Sequence, residues 1–95
     1  MYSLIYVSEF WDELHEMVSF YENKSIGLGK RFLNDVDETL LKLSKNPFAN
    51  FNLKNNKRRI ALKIFQSMIV YEIIDETIVI LALSDFRSKP KKDFY

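Results

Sequence analysis

The sequence predicts an α+β fold of the order β-α-α-β-β-β, in which a helical hairpin packs on a small, twisted, antiparallel-rich sheet. Three observations lead to this prediction. Apolar residues recur every three or four positions between Phe10 and Leu43, as on one face of a helix. From Ile60 onward they alternate with polar residues or run together, as in strands. The 95 residues include two glycines and two prolines, which favours a single domain over residues 1–95 without long linkers.

The first strand and the first helix come from the N-terminal third of the chain. Residues 2–7 are rich in β-forming side chains and predict a short strand. Ser8 is a plausible N-cap, and the acidic residues that follow it suit a helix N-terminus. The helix is expected to end near Asn23. Its apolar face consists of Phe10, Trp11, Leu14, Met17, Val18 and Tyr21.

A second helix follows a short turn. Ser25 is expected to cap it, and Asn46-Pro47 to end it, because the residue before a proline avoids the helical region. Its predicted apolar set is Leu28, Phe32, Leu33, Val36, Leu40 and Leu43. The acidic residues of this helix are expected to point into solvent rather than to bind a metal, since they do not converge as calcium or magnesium ligands do. They are Asp35, Asp37 and Glu38.

Three strands are predicted after a polar loop at residues 49–56. The first covers residues 58–65, where apolar side chains alternate with polar or small ones and give a half-buried strand with a cationic outer face. Ser67–Ile74 forms the next strand, and residues 75–76 a tight connection. Residues 77–83 are almost wholly apolar, as expected of a central strand covered on both faces. In the first of these strands the side chains expected to point inward are Ile60, Leu62 and Ile64. Those expected to point outward are Arg59, Ala61 and Lys63.

Charge is segregated along the chain. The formal net charge is +1, yet residues 1–53 carry five Lys/Arg against eight Asp/Glu, and residues 54–95 carry nine against five. The basic half predicts a negatively charged partner, such as a phosphate backbone or an acidic protein segment. The absence of cysteine excludes disulfides and thiolate metal sites. No run of about 18 apolar residues occurs, so a membrane-spanning segment is not expected. We expect a cytoplasmic protein that needs no cofactor and does not contact a membrane.

The order of elements and several segments together resemble one known family. These segments are Asn46-Pro47 after the second helix, the basic strand at residues 58–65, the strand at residues 69–73, and the tail Arg87-Ser88-Lys89-Pro90. In combination, and over nearly the whole chain, they resemble the RelE/ParE superfamily of type II toxin–antitoxin toxins.

The resemblance implies a small bacterial toxin, associated with plasmid stabilization and neutralised by a cognate antitoxin in a hetero-oligomeric complex. ParE-like members act on DNA gyrase, and RelE-like members cleave mRNA on the ribosome.

Basic side chains are the first candidates for function. Arginine binds phosphate and carboxylate through two parallel hydrogen bonds. Arg87 is the leading candidate, because it directly follows the last strand and residues at strand ends often carry function. If the protein cleaves RNA, the candidate catalytic residues are Arg58, Arg59, Lys63, Arg87 and Tyr95. The candidates for binding a target or an antitoxin are Arg58, Arg59, Lys63, Phe65, Met68 and Arg87.

The general base that RNA cleavage needs is harder to find. His15, the single histidine, falls on the polar side of the first helix, and Glu72 and Tyr95 are the remaining candidates. A gyrase inhibitor needs a shaped, partly cationic surface and no chemistry of its own. We therefore prefer the ParE-like interpretation. A RelE-like ribosome-dependent endoribonuclease and a non-toxic interaction module are the alternatives.

Simpler interpretations exist for the same residues. The basic strand can be a solvated face whose charges protect a sheet edge from aggregation. Arg58 shares its side of the strand with Ile60, so it can instead be an internal arginine paired with an acid such as Asp85. Apolar residues near loops and strand ends are expected to be left open for the antitoxin. They are Phe48, Phe51, Phe65, Met68 and Phe86.

Overall fold

Two helices lie on one face of a five-stranded sheet. The computed structural model describes residues 2–49, 51–52 and 56–85, with the backbone alone for residues 51 and 52. The elements are β1 Ser3–Tyr6, α1 Ser8–Lys24, α2 Leu28–Lys45, β2 Phe51–Asn52, β3 Lys57–Ala61, β4 Ser67–Ile74 and β5 Thr77–Asp85. The predicted α+β order is confirmed. The short strand β2 and a 3₁₀ turn at Pro47–Ala49 are additions to it.

The sheet has the strand order β1-β5-β4-β3-β2. β1 pairs in parallel with β5, and all other neighbours are antiparallel, as the antiparallel-rich prediction requires. The segment at residues 77–83 does lie inside the sheet, between β1 and β4. The strand that is buried on both faces is β4, whose first five residues are all buried, whereas burial alternates along β5.

The core lies between the hairpin and one face of the sheet. It joins the apolar stripes of both helices to alternate residues of β3, β4 and β5. Trp11 was predicted to belong to it, and this is wrong: its side chain is 44% exposed. Successive helical residues differ by about 100° in direction. Phe10 therefore faces the core, and Trp11 packs outside it against the rings of Phe10 and Tyr6.

Both predicted serine caps are wrong. Ser8 is the first residue of α1, with Val7 at the N-cap position, and α2 begins at Leu28 after Gly27. Gly27 has φ +88°, in the left-handed region that glycine tolerates best. Glu22 supplies the negative charge at this helix start. Its carboxylate accepts hydrogen bonds from the backbone N–H groups of Gly27, at 3.0 Å and 3.1 Å, and Gly29, at 3.0 Å.

A register shift between β4 and β5 changes which residues face the helices. Val70 pairs with Ala82 but Tyr71 pairs with Ile80, so Leu81 is an extra residue on β5. Glu13 of α1 accepts a hydrogen bond from the backbone N–H of Leu83 at 2.9 Å. The Glu13 carboxylate of α1 thus binds β5 close to the extra residue Leu81.

Neither described helix is long and apolar enough to cross a membrane.

Candidate interaction surface

The two adjacent arginines of β3 point to opposite faces of the sheet. Successive residues of a strand alternate between faces, and Ile60 lies in the core. Arg58 therefore shares the helix-covered face, and Arg59 the opposite face, which we call the outer face. The alternation of the strand predicted this separation, so the candidate binding residues Arg58 and Arg59 do not share one surface.

The outer face combines cations with apolar side chains. Residues directly opposite each other in an antiparallel pair share a face. Arg59 is thus aligned with Val70 and Ala82, and Lys57 with Glu72. One guanidinium nitrogen of Arg59 lies 3.8 Å from the sulfur of Met68. Met68, Val70 and Ala82 are buried, whereas Arg59, Lys57 and Glu72 are half-buried. Charged groups therefore stand around an apolar floor.

Lys57 was not predicted as a site residue. As the first residue of β3, it alternates with Arg59 and lies on the same face. That two-residue spacing in Lys57-Arg58-Arg59 is the sequence signal that could have identified it.

Arg58 is held against the turn that follows α2. Its guanidinium lies 5.3 Å from the centre of the Phe48 ring and donates a hydrogen bond to the Phe48 carbonyl at 3.4 Å. Tyr71 supports this turn, because its hydroxyl donates to the Pro47 carbonyl at 2.5 Å. The contacts with Phe48 give Arg58 a structural role beside the predicted one. Phe48 itself remains 55% exposed, as predicted.

The predicted strand at residues 58–65 ends at Ala61, so Lys63 and Ile64 lie in a loop. Ile64 was expected to face inward and is instead 63% exposed. The loop turns because Asp35 of α2 binds it. The Asp35 carboxylate accepts hydrogen bonds from the backbone N–H groups of Lys63 at 3.2 Å, Ile64 at 2.9 Å and Phe65 at 3.0 Å.

Asp35 was predicted to face solvent, and this is wrong: its side chain is 1% exposed. A buried carboxylate is costly unless hydrogen-bonded donors surround it, and the three loop amides meet that condition. The sequence does contain a signal for this arrangement. Asp35 lies three residues after Phe32 and next to Val36, inside the apolar stripe of α2. It positions the loop and was missed as a functional candidate.

Two apolar candidates for the antitoxin site are not open. Met68 is only 6% exposed, because it belongs to the floor of the outer face. Phe65 is half-buried, and its ring packs 4.8 Å from that of Tyr21 and 5.1 Å from that of Phe32. The candidates Arg87, Tyr95 and Phe86, and the side chain of Phe51, lie outside the described residues.

Titratable groups that could act as a base are sparse on the described part of the outer face. Glu72 is one carboxylate there, aligned with Lys57. His15 is exposed on α1, in the other layer of the molecule, beside a shallow depression lined by Asp12 and Glu16. Among the residues that the structure describes, no three His, Cys, Asp or Glu side chains are grouped so as to hold a metal ion.

Comparison with known proteins identifies the fold. No protein-family model matches the chain, and no curated protein matches it. Three of the most similar solved structures are bacterial toxin–antitoxin proteins. A chain of the chromosomal ParDE toxin–antitoxin system from P. aeruginosa is 17% identical with a TM-score of 0.76, covering 90% of this chain and 96% of that one.

A chain of the intact E. coli RelBE toxin–antitoxin complex is 18% identical with a TM-score of 0.68, covering 93% and 100%. The isolated E. coli RelE toxin is 18% identical with a TM-score of 0.67, covering 94% and 88%. The predicted resemblance to the RelE/ParE superfamily is therefore confirmed at the level of the fold.

Proposed function

We propose that this protein is a toxin of a type II toxin–antitoxin system, acts in the bacterial cytoplasm, and uses the outer face to bind its target. The fold it shares with ParDE and RelBE proteins supports the class. The observation that carries the site is the arrangement on β3 and β4. Arg59 and Lys57 stand on the side of the sheet away from the helices, around a floor of Met68 and Val70. The half-buried cations of this face suit an anionic partner.

DNA gyrase is the target that we propose, with inhibition by non-covalent binding. Binding of an enzyme or its DNA intermediate needs cations, which this face offers, and no chemistry of its own. RNA cleavage needs in addition a base within hydrogen-bond reach of the 2′-hydroxyl. The histidine lies in the helical layer, which leaves Glu72 as the candidate base on the described part of the face.

A cognate antitoxin is the second proposed partner. β1 forms an edge of the sheet. The N–H groups of Ser3 and Val7 bond to carbonyls on the β5 side. In a parallel strand the backbone groups of Leu4 and Tyr6 then point the other way. An extended antitoxin segment can add to this edge, beside the exposed ring of Trp11.

Adjacent arginines on opposite faces provide a matched test. We expect purified protein to inhibit gyrase supercoiling, and Arg59→Ala to weaken that inhibition about tenfold, or about 1.4 kcal/mol. Arg58→Ala removes the same charge from the other face and is expected to retain inhibition. Circular dichroism and thermal melting would show that both variants fold. Equal loss in the two variants, or no inhibition by the unaltered protein in large excess, would contradict the outer-face gyrase proposal.

A ribosome-dependent endoribonuclease is the alternative, and the alignment of Glu72 with Lys57 beside Arg59 is the observation that favours it. Primer extension on mRNA from cells expressing the protein distinguishes the two activities. Cleavage that disappears in Glu72→Gln and persists in Glu76→Gln, a change in the exposed β4–β5 turn, would establish the alternative. Intact mRNA during growth arrest would exclude it. Unimpeded growth with soluble protein and no antitoxin would instead indicate a non-toxic interaction module.

A further inference from the structure

A second exposed surface lies at the end of the molecule where the two helices are joined. Ile26, in the turn between α1 and α2, is 96% exposed, and Ile64, in the loop after β3, is 63% exposed. The rings of Phe65, Tyr21 and Phe32 hold this loop against the last turns of α1 and the first turns of α2. We call this end the tip surface, defined by Phe20, Lys24, Ile26, Arg31, Lys63 and Ile64.

The tip surface carries exposed cations, and two carboxylates near them accept hydrogen bonds from backbone N–H groups. Glu22 binds the backbone N–H groups at the start of α2, and Asp35 binds those of the loop. Exposed cations stand beside them. Lys24 lies 4.6 Å above the ring of Phe20. Arg31 is one helical turn before Asp35 and therefore on the side of α2 that carries the loop.

The loop is held in a fixed position before any partner arrives. Its three consecutive N–H groups converge on one carboxylate, the arrangement that proteins use to bind anions. A preorganised contact loses less conformational entropy on binding than a mobile one does. Ile64 and the neighbouring Lys63 are thus displayed by a rigid turn.

We propose that the tip surface docks an acidic amphipathic helix of another protein. Ile26 and Ile64 contact its apolar face, and Lys24, Arg31 and Lys63 pair with its carboxylates. Charge complementarity favours this occupant over a basic one. Nucleic acid provides phosphate for the cations and little apolar surface for two exposed isoleucines, so a protein segment fits both features better. This binding is separate from the outer face and does not depend on the toxin function.

Titration of the ¹⁵N-labelled protein with a synthetic helix of about 20 residues tests the proposal. The probe carries Leu on one face and Glu on the other, and NMR shift changes are followed. We expect the changes to centre on Ile26, Lys63 and Ile64 and the affinity to fall with added salt. Changes centred on β3 and β4, or no binding at millimolar peptide, would overturn the proposal.

Variants give the decisive comparison. Ile64→Glu is expected to weaken peptide binding about tenfold, and Lys63→Gln two- to threefold, on the order of 0.5 kcal/mol. Glutamine is chosen at residue 63 so that no second carboxylate is placed beside Asp35. Leu41→Glu is the matched control, since Leu41 is 54% exposed on α2 but lies far from the hairpin turn. Equal weakening by Leu41→Glu would contradict the site.

The same titration separates other kinds of partner. Phosphatidylserine vesicles and a single-stranded oligonucleotide are added in place of the peptide. Binding to either one that Ile64→Glu abolishes, without binding of the peptide, would assign the tip surface to a membrane or to nucleic acid and overturn the proposal.

Discussion

Replacement of Asp35 by alanine tests the anchor that joins α2 to the loop after β3. In the native protein one buried carboxylate accepts three backbone hydrogen bonds, at 2.9, 3.0 and 3.2 Å. Alanine removes the acceptor and leaves three N–H donors without it. The loop itself is partly exposed, so water can reach some of these donors and reduce the cost.

The size of the effect follows from the three bonds. A hydrogen bond to a charged group contributes about 1.5–3 kcal/mol, which sets an upper bound of about 4.5–9 kcal/mol for three independent bonds. Rehydration of the loop amides and release of the carboxylate from a buried site both lower this figure. We expect a loss of about 3–4 kcal/mol in the free energy of unfolding. A domain of this size has a total of about 5–14 kcal/mol, so much of the stability would be lost.

Urea unfolding, followed by far-ultraviolet circular dichroism, measures this loss directly. The melting temperature should fall by at least about 12 °C, at about 4–8 °C per kcal/mol for a domain of this size. Asp35→Asn keeps one acceptor oxygen but turns an amide donor toward the loop, and is expected to cost about 2–3 kcal/mol. Hydrogen exchange should show faster exchange at Lys63, Ile64 and Phe65 in both variants.

Asp37→Ala is the matched control for this experiment. It makes the same chemical change on the same helix at an exposed position, and should alter stability by no more than about 0.5 kcal/mol. Both alanine variants gain the same helix propensity, so their difference isolates the anchor. A loss below about 1 kcal/mol for Asp35→Ala, or one equal to that of Asp37→Ala, would refute the anchor as a major source of stability.

Four further changes test other contacts. Gly29→Ala should cost about 2–3 kcal/mol in urea unfolding, because a Cβ there would lie 2.8 Å from the Val18 carbonyl oxygen. Gly27→Ala should cost about 1 kcal/mol, since its φ is strained but nothing lies within 4 Å of the added Cβ; equal costs would contradict the close helix contact. Tyr71→Phe should cost about 1–1.5 kcal/mol by thermal melting, and an unchanged melting temperature would remove the role of its hydroxyl. Burial, and then the charge of Asp37, raise the pKa of Tyr6, so the stabilising contribution of its neutral hydroxyl is complete below the ordinary tyrosine pKa and is lost as pH rises through the pKa of the folded state. Above about pH 10, Tyr6→Phe should therefore lose less stability than the native protein, and identical profiles of stability against pH would contradict this.

The types of the elements were predictable because each depends on residues close together in sequence. The apolar period of α1 and α2 and the limits of β4 are local patterns, and the structure confirms them. The caps were not predictable in the same way. Ser8 and Ser25 have the right chemistry, but Gly27 and the carboxylate of Glu22 occupy the start of α2. The choice depended on how the two helices meet.

The candidate site was predictable only in part. Alternation correctly separates Arg58 from Arg59, because strand period is a local property. The end of β3 at Ala61 was missed, and with it the exposure of Ile64. That end is determined by Asp35, which lies 28 to 30 residues earlier than the amides it binds. No pattern within residues 58–65 contains this information.

By itself, the sequence determined the fold class, the order of the elements and the segregation of charge, because propensity, periodicity and charge are properties of neighbouring residues. The tertiary structure alone decided which charges are available to a partner. Asp35 and Glu22 have ordinary carboxylates, yet the fold binds each of them to backbone amides of another segment. Whether a charged group faces water or an internal donor depends on contacts between distant segments, and these exist only once the chain has folded.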